Sequence, residues 1–329
     1  MFGRGVISVI YGWALEKAGH TVQFYVRPSR AAQYGPTARL EIVDARRSIL
    51  GKRVNESWPI QMREELPADH DYDLIVLSVQ HYHIEDAAAF LGPRAGNATV
   101  LVFNNLWVEP KEATSRLPAA HLAWGFPAAG GGFGSDGVLR GALTGKVTFG
   151  AFLTDPRPRE LAVRELFKSA GFAINEQRDF RSFLFVHFAL DCAIETEALK
   201  AGSMARAFAS ADHRRDAILN VRELIPLLAA RSVDLKDQSG KLAPFRLPTW
   251  LGGPMMGLVP KLLTSVRVML DSHSNMEELR STCRDVLAEA RRLGVNVPRL
   301  EAASSLFQTT GQQPHGGLAH AHQPQAPVH

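Results

Sequence analysis

Cysteine is scarce in this chain of 329 residues: there are two, Cys192 and Cys283, each within a helical pattern and far apart in sequence. That spacing excludes a disulfide framework and a cysteine-based zinc site, and it sets the expectation of a reducing cytoplasm and no metal. Long apolar runs are lacking as well. The stretch "WLGGPMMGLVPKLL" is cut by Gly252, Gly253, Pro254, Pro260 and Lys261, so it does not read as a bilayer-spanning helix. It reads either as a loop with a short helix or as a lid or apolar wall of a substrate pocket. Basic runs interleaved with aromatics are also missing. The formal net charge of +4 is spread along the chain, which speaks against nucleic-acid binding and suits an anionic cofactor. Finally, no internal repeat occurs, and the last stretch, "QTTGQQPHGGLAHAHQPQAPVH", has no hydrophobic period. Residues 308–329 are therefore expected to be a disordered tail, with no fold to fix His315, His320, His322 and His329 around a metal.

What remains is an ordinary globular composition, 46% hydrophobic and 21% charged, large enough for two domains. The chain opens "MFGRGVIS", in which Gly3 and Gly5 follow only two residues and Ser8 holds the third position of a dinucleotide fingerprint. A helical pattern then runs from Val6 through Leu15 to a glycine stop at Gly19, and "TVQFYVR" reads as a strand. Strand stub, glycine turn, helix, glycine stop, strand is the order of a βαβ nucleotide-binding unit. Because a parallel strand commonly needs about five residues, the stub sets the expectation that apolar residues precede Met1 in the natural protein.

The end of the second strand decides cofactor preference, since an acid there accepts from a ribose hydroxyl and an arginine suits a 2′-phosphate. Arg27 and Arg30 are present and no acid is, which favours NADPH. "YDLIVLSV" and "ATVLVFNN" read as buried parallel strands, ending at Gln80 and at Asn104 and Asn105, where ligands bind in open α/β sheets. "KVTFGAFL" reads as a further strand, antiparallel, and "RPRELAVRELFKSAG" as an amphipathic helix. Beyond Asp179 the pattern turns to long helices. The expected fold is therefore α/β: a Rossmann-like NAD(P)-binding domain over residues 1–179, then an all-helical domain over 180–307.

One helical stretch, "RSFLFVHFALDCAIETEALKAG", is apolar almost all round except for His187, Asp191, Glu195, Thr196 and Glu197. His187, Asp191 and Glu195 stand at i, i+4 and i+8, one stripe of a helix that advances about 40° per four residues. A histidine with a carboxylate on its face is expected to have a raised imidazolium pKa and to serve as a general acid. The alternative at this point is that Asp191 only satisfies a core histidine.

These features resemble the ketopantoate reductase family, whose members reduce a 2-oxo acid with NADPH using a Rossmann domain joined to a helical domain. The resemblance is carried by "GRGVIS", "AGHTVQFYVR", "VLSVQ", "VFNN" and "GVNVPRLEA" and extends to Phe307. It implies that Gly3, Arg4, Gly5, Val6, Ile7 and Ser8 form the pyrophosphate turn. It also implies that Arg27 meets the 2′-phosphate, that Asn104 touches cofactor and substrate, and that Glu278 is the carboxylate near the nicotinamide. From its spacing alone, Glu278 reads equally well as an exposed helix acid beside Glu277.

The departures are chemical. Gln80 stands where the family has a lysine, and the proton-donating lysine of a tryptophan-glutamate-lysine run is replaced by His187 in "FVH". Two substrate-orienting asparagines become Asp191 and Glu195, and the family's later serine has no clear counterpart near Val268. Anionic Asp191 and Glu195 would repel a 2-oxo carboxylate, so the expected substrate is a ketone or 2-oxo compound with less negative charge than ketopantoate. The expectation is an NADP(H)-dependent reductase, with a homodimer as the candidate assembly and no membrane or nucleic-acid partner, in which His187 held by Asp191 protonates the alkoxide. The alternative is an NADP(H)-binding sensor or partner-binding protein that has lost catalysis.

Overall fold

The structure is a computed structural model and describes residues 1–152 and 154–308, so the tail expected to be disordered lies, from residue 309 on, outside the described residues. Phe2 makes parallel bridges to Tyr25 on one side and Leu77 on the other, which puts the residue before the glycine turn at the centre of a sheet. The chain then forms α1 (Val6–Glu16), β1 (Gln23–Tyr25), α2 (Arg30–Tyr34), β2 (Thr37–Ala45), β3 (Lys52–Pro59), β4 (Gln61–Arg63) and β5 (Leu74–Leu77). It continues through α3 (Ile84–Leu91), β6 (Thr99–Val102), α4 (Pro110–Ala113), β7 (Leu122–Phe126), β8 (Ala129–Phe133), β9 (Val138–Thr144), β10 (Lys146–Gly150), α5 (Pro158–Ser169) and β11 (Ala173–Gln177).

The main sheet has the order β11-β10-β7-β6-β5, and Phe2 joins its β5 edge to the pair β1-β4. Strands β5, β6 and β7 are parallel, whereas β10 runs antiparallel to β7 and parallel to β11. The carboxyl ends of β1 and β5 thus flank the glycine turn, with that of β6 next to β5, the place where an open α/β sheet presents its ligand crevice. A second sheet, β3-β2-β9-β8, accompanies it and was not expected from the sequence. Along β2 the inward Ala38, Leu40 and Ile42 alternate with exposed Thr37, Arg39 and Glu41, the period of a half-buried strand.

Helix α1 lies between the two sheets, which explains why so much of its surface is apolar. Its Val9, Ile10, Tyr11, Trp13 and Ala14 share one core with Leu40, Ile42 and Trp58 of the second sheet and with Val76, Leu101, Val147 and Phe149 of the first. The buried Tyr11 hydroxyl accepts the Ala128 N–H at 2.9 Å, which ties the helix to the chain between β7 and β8. Gly19, at φ +94°, turns the chain out of the helix in a conformation a side chain would strain.

The remaining elements are helices: α6 (Phe180–Ala201), α7 (Met204–Ala209), α8 (Ala211–Ala230), α9 (Ser239–Arg246), α10 (Thr249–Leu262), α11 (Thr264–Ser272), α12 (Met276–Arg292) and α13 (Pro298–Ala302). Asp179 caps α6 by accepting the Ser182 N–H, and Gly202 at φ +81° ends it. Phe183, Leu184, Phe185, Val186 and Phe188 of this helix join one continuous core with α3, β5, β6, α8 and α12. The packing of α6 on α12 brings Cys283 Sγ within 3.6 Å of the Cys192 carbonyl oxygen, so residues far apart in sequence meet as free, buried thiols.

"WLGGPMMGLVPKLL" is helical from Thr249 to Leu262 despite its glycines and prolines, which corrects the expected loop. Buried Gly252 lets α10 approach α8, where an added Cβ would stand 3.0 Å from Ile218 Cδ1, and Arg214 Nε donates to the Gly253 carbonyl at 2.9 Å. Tertiary packing outweighs low helix propensity here. No residue of α10 lines the main cavity, so neither the lid nor the pocket-wall reading fits; its Trp250, Met255, Leu258 and Leu262 face outward. Among the described residues no helix is long and apolar enough to cross a membrane.

Candidate active site

A cavity of about 1500 Å³ runs from the glycine turn, past the carboxyl ends of β5 and β6, to α6, α9 and α12. At its first end stand Gly3, Arg4, Gly5, Val6 and Ile7, with Arg27 and Arg39. Gly3 has φ +91°, and a Cβ on either Gly3 or Gly5 would meet nothing within 4 Å, so the turn is held open to the cavity. Helix α1 begins there with no side-chain cap and no acid in its first turn, which leaves its first N–H groups and the positive end of its dipole to an incoming anion. Arg4 lies over the rings of Tyr34 and Phe133, and its Nε is buried without a partner. Donor geometry and charge at this end fit the pyrophosphate and ribose phosphate of a dinucleotide.

Two expected cofactor residues stand elsewhere. Ser8 is fully buried in α1 and pairs with Ser78 Oγ at 2.9 Å, so it closes the helix onto β5 rather than facing a ligand. Arg30 opens α2, bonds Gln33 Oε1 at 2.8 Å and is not among the cavity residues. Arg39 of β2 is there instead, and it was missed because the second sheet was missed.

At the other end the cavity brings together Gln80, Asn104, His187, Asp191, Glu195 and Glu278. Asn104, 4% exposed, donates through Nδ2 to the Val79 carbonyl at 2.5 Å, and its Oδ1 is buried without a partner. Asn105 donates to Asp191 Oδ2 at 2.7 Å, and that oxygen lies 3.5 Å from His187 Nε2. Glu278 is no exposed helix acid: Gln80 Nε2 reaches its Oε2 at 3.3 Å, joining the tip of β5 to α12. His81, at the same tip, pairs with Asp285 at 3.0 Å. These two cross-links set α12 against the tip of β5 at the cavity wall.

The electrostatics reverse two expectations. His187 packs against the Phe126 ring, centroids 4.3 Å apart, and faces Phe183. Burial first, then the nearby Lys241 ammonium, push its pKa down to about 3, so the ring is neutral near pH 7 rather than a strengthened imidazolium. Asp191 is raised to about 7, by burial and then by Glu278, against the Asn105 hydrogen bond and Lys241. Glu195 is raised well above the ordinary carboxylate range by burial and by Asp191. Asp191 therefore keeps its proton up to about pH 7 and Glu195 is shifted the same way, which weakens the expected repulsion of a 2-oxo carboxylate.

Lys241, on the short helix α9, was not anticipated. It lines the cavity with Nζ 3.0 Å from the Phe183 ring centroid, and burial, opposed by Asp191, lowers its pKa to about 7. No pattern in "SGKLAPF" distinguishes it from a surface lysine, because the chain between α8 and α9 has no period that predicts how it folds back on α6. Among the described residues no cluster of three or more metal-ligating side chains is present.

Residues 1–154 match the family model "Ketopantoate reductase PanE/ApbA". Among curated protein sequences none matches the chain. Similar solved structures include a 2-dehydropantoate 2-reductase from Geobacter metallireducens, 16% identical, with a TM-score of 0.66 over 93% of this chain and 97% of that one. A D-mandelate dehydrogenase, solved with NADH and anilino(oxo)acetate, is 14% identical at TM-score 0.66, with coverage of 93% and 97%. A dimeric ketopantoate reductase from Staphylococcus aureus is 9% identical at TM-score 0.59, covering 93% and 95%. The N-terminal half thus resembles the ketopantoate reductase model, and nearly the whole chain shares the fold of these enzymes.

Proposed function

We propose that the protein is an NADPH-dependent oxidoreductase that reduces the carbonyl of a 2-oxo acid or a related ketone. The observation that carries this reading is the single cavity joining an open glycine turn and three arginines to Asn104, His187 and Asp191. Gly3 to Ile7 would hold the pyrophosphate on the first N–H groups of α1, and Arg27 the 2′-phosphate, with Arg39 as a second cation. No Asp or Glu lines the cavity beside these arginines among the described residues, which supports NADPH over NADH.

Bound in this way, the reduced nicotinamide supplies a hydride to the carbonyl carbon. The chain's own part is to orient the carbonyl and exclude water. Asn104, fixed by Val79, and the neutral His187 ring, packed against Phe126 and Phe183, would orient the carbonyl. Asp191, protonated below about pH 7, and Glu195, whose pKa is raised well above the carboxylate range, could each donate to a substrate carboxylate and repel it once ionised. His187 itself cannot be a reservoir of protons at neutral pH, since its conjugate acid is too strong. A homodimer in a cytoplasmic setting completes the reading; light scattering reads the assembly directly.

The test is oxidation of NADPH, followed at 340 nm, with pyruvate, 2-oxoisovalerate, ketopantoate and phenylglyoxylate in turn. Turnover of at least one, with KM rising as pH passes 7, supports the reading. Absence of turnover with every member, despite NADPH binding, would favour the sensor.

A further inference from the structure

We propose that Lys241 delivers the proton to the carbonyl oxygen during reduction, so that the acid comes from helix α9 rather than from the α6 stripe. The inference rests on the reductase reading above. Lys241 is the one lysine among the described residues lining the cavity, and its Nζ is buried with no hydrogen-bond or ion-pair partner. An ammonium withdrawn from water without a counter-ion is costly to a fold, and here Nζ has only the π face of Phe183, one turn before His187. Nothing in the local packing needs the charge, whereas a polar ligand in the cavity would give Nζ its missing partner.

The groups facing Lys241 are few. From α6 come His187 and Asp191, with Glu195 one turn further, and from α12 comes Glu278, which acts on Asp191. His187 is neutral beside it, and Asp191 is bonded to Asn105, so neither holds the ammonium in a fixed pair. Burial lowers its pKa to about 7, and general acids work best when their pKa lies near the working pH. Asp191 titrates in the same range, so the proton is shared within this pair as pH changes.

The step balances. As the carbonyl carbon gains hydride from the reduced nicotinamide, the carbon–oxygen π bond opens, and an Nζ–H bond of Lys241 breaks as the O–H bond forms. The neutral amine then takes a proton from water.

Competitive acetylation with acetic anhydride between pH 5 and 11, read by peptide mass spectrometry on the full chain, measures the amine without any turnover. Its reactivity midpoint at Lys241 is expected near 7, well below the ordinary lysine value of about 10.4. In parallel, Lys241→Met is expected to lower kcat of NADPH oxidation with the best 2-oxo acid at least 100-fold. Its NADPH Kd should stay within twofold of wild type, and the fall of kcat above pH 7 should disappear, while the rise of KM that follows ionisation of Asp191 persists. Lys241→Arg keeps charge and bulk but does not release its proton near neutrality, so it should lose at least tenfold in kcat while retaining the wild-type melting temperature. A labelling midpoint near 10, or Lys241→Met within threefold of wild type with an unchanged pH profile, would overturn the assignment to Lys241. A wild-type protein that binds NADPH but reduces nothing would instead overturn the reductase reading on which it rests.

Discussion

Replacing Asp191 by asparagine should stabilise the protein, and only at the higher pH values. In the folded chain this carboxyl is raised from 3.8 to about 7. Below about pH 4 it is protonated in both folded and unfolded states and contributes nothing. Between about 4 and 7 the unfolded chain ionises while the folded one keeps its proton, so stability falls as pH rises; above 7 the penalty is constant. At about 1.4 kcal/mol per tenfold, the full shift corresponds to about 4 kcal/mol. The side chain is 32% exposed to the open cavity, and screening by water there halves the cost to about 2 kcal/mol. The asparagine side chain would keep an oxygen to accept the Asn105 N–H that now reaches Asp191 at 2.7 Å. The expected result is a melting temperature about 4 °C above wild type at pH 8, with no difference at pH 4. Equal or lower stability of Asp191→Asn at pH 8 would show instead that Asp191 is ionised and well paired at neutral pH. The neutral His187 adds the opposite slope: its pKa is lowered, so stability is lost as pH falls from about 6.5 towards 3.

Arg27→Ala should weaken NADPH about tenfold or more and leave NADH unchanged within twofold in a fluorescence titration, whereas Arg30→Ala should alter neither, because Arg30 turns to Gln33. Glu197→Ala should cost about 3 kcal/mol in urea unfolding, since the buried carboxylate takes Lys200, His213 and Asn220 at once and its loss leaves them without their acceptor. Gly150→Ala should destabilise by about 3 kcal/mol in the same assay. The added Cβ would stand 2.0 Å from the ring of buried Phe180, where the last sheet strand before α5 packs on the start of α6.

Much of this architecture is legible in local sequence signals. The glycine turn, the Gly19 stop and the near-continuous apolar runs of β5 and β6 each have a local physical cause, and the structure reproduces them. The i, i+4, i+8 stripe is equally local, and it does line the cavity. What was not read depends on packing between distant segments. Strand β2 alternates clearly, yet its role in a second sheet over α1 comes from pairing with β9, about a hundred residues later. Helix α10 breaks propensity rules because Gly252 and the Gly253 carbonyl are used by α8. The signs of the site pKa values could not be read from the stripe, because burial and Lys241, neither visible in local spacing, outweigh the neighbouring carboxylate. Lys241 itself belongs to the same class of residue, placed by a chain reversal with no periodic signature.

Whether the glycine turn holds a nicotinamide cofactor is read by a fluorescence titration of the whole protein with NADPH, with NADH as the control. The expected result is saturable NADPH binding that is at least tenfold tighter than NADH and is lost when Gly3 is replaced by valine. NADPH that fails to bind, or binds equally well to Gly3→Val, would contradict a cofactor site at the glycine turn and the reductase reading built on it.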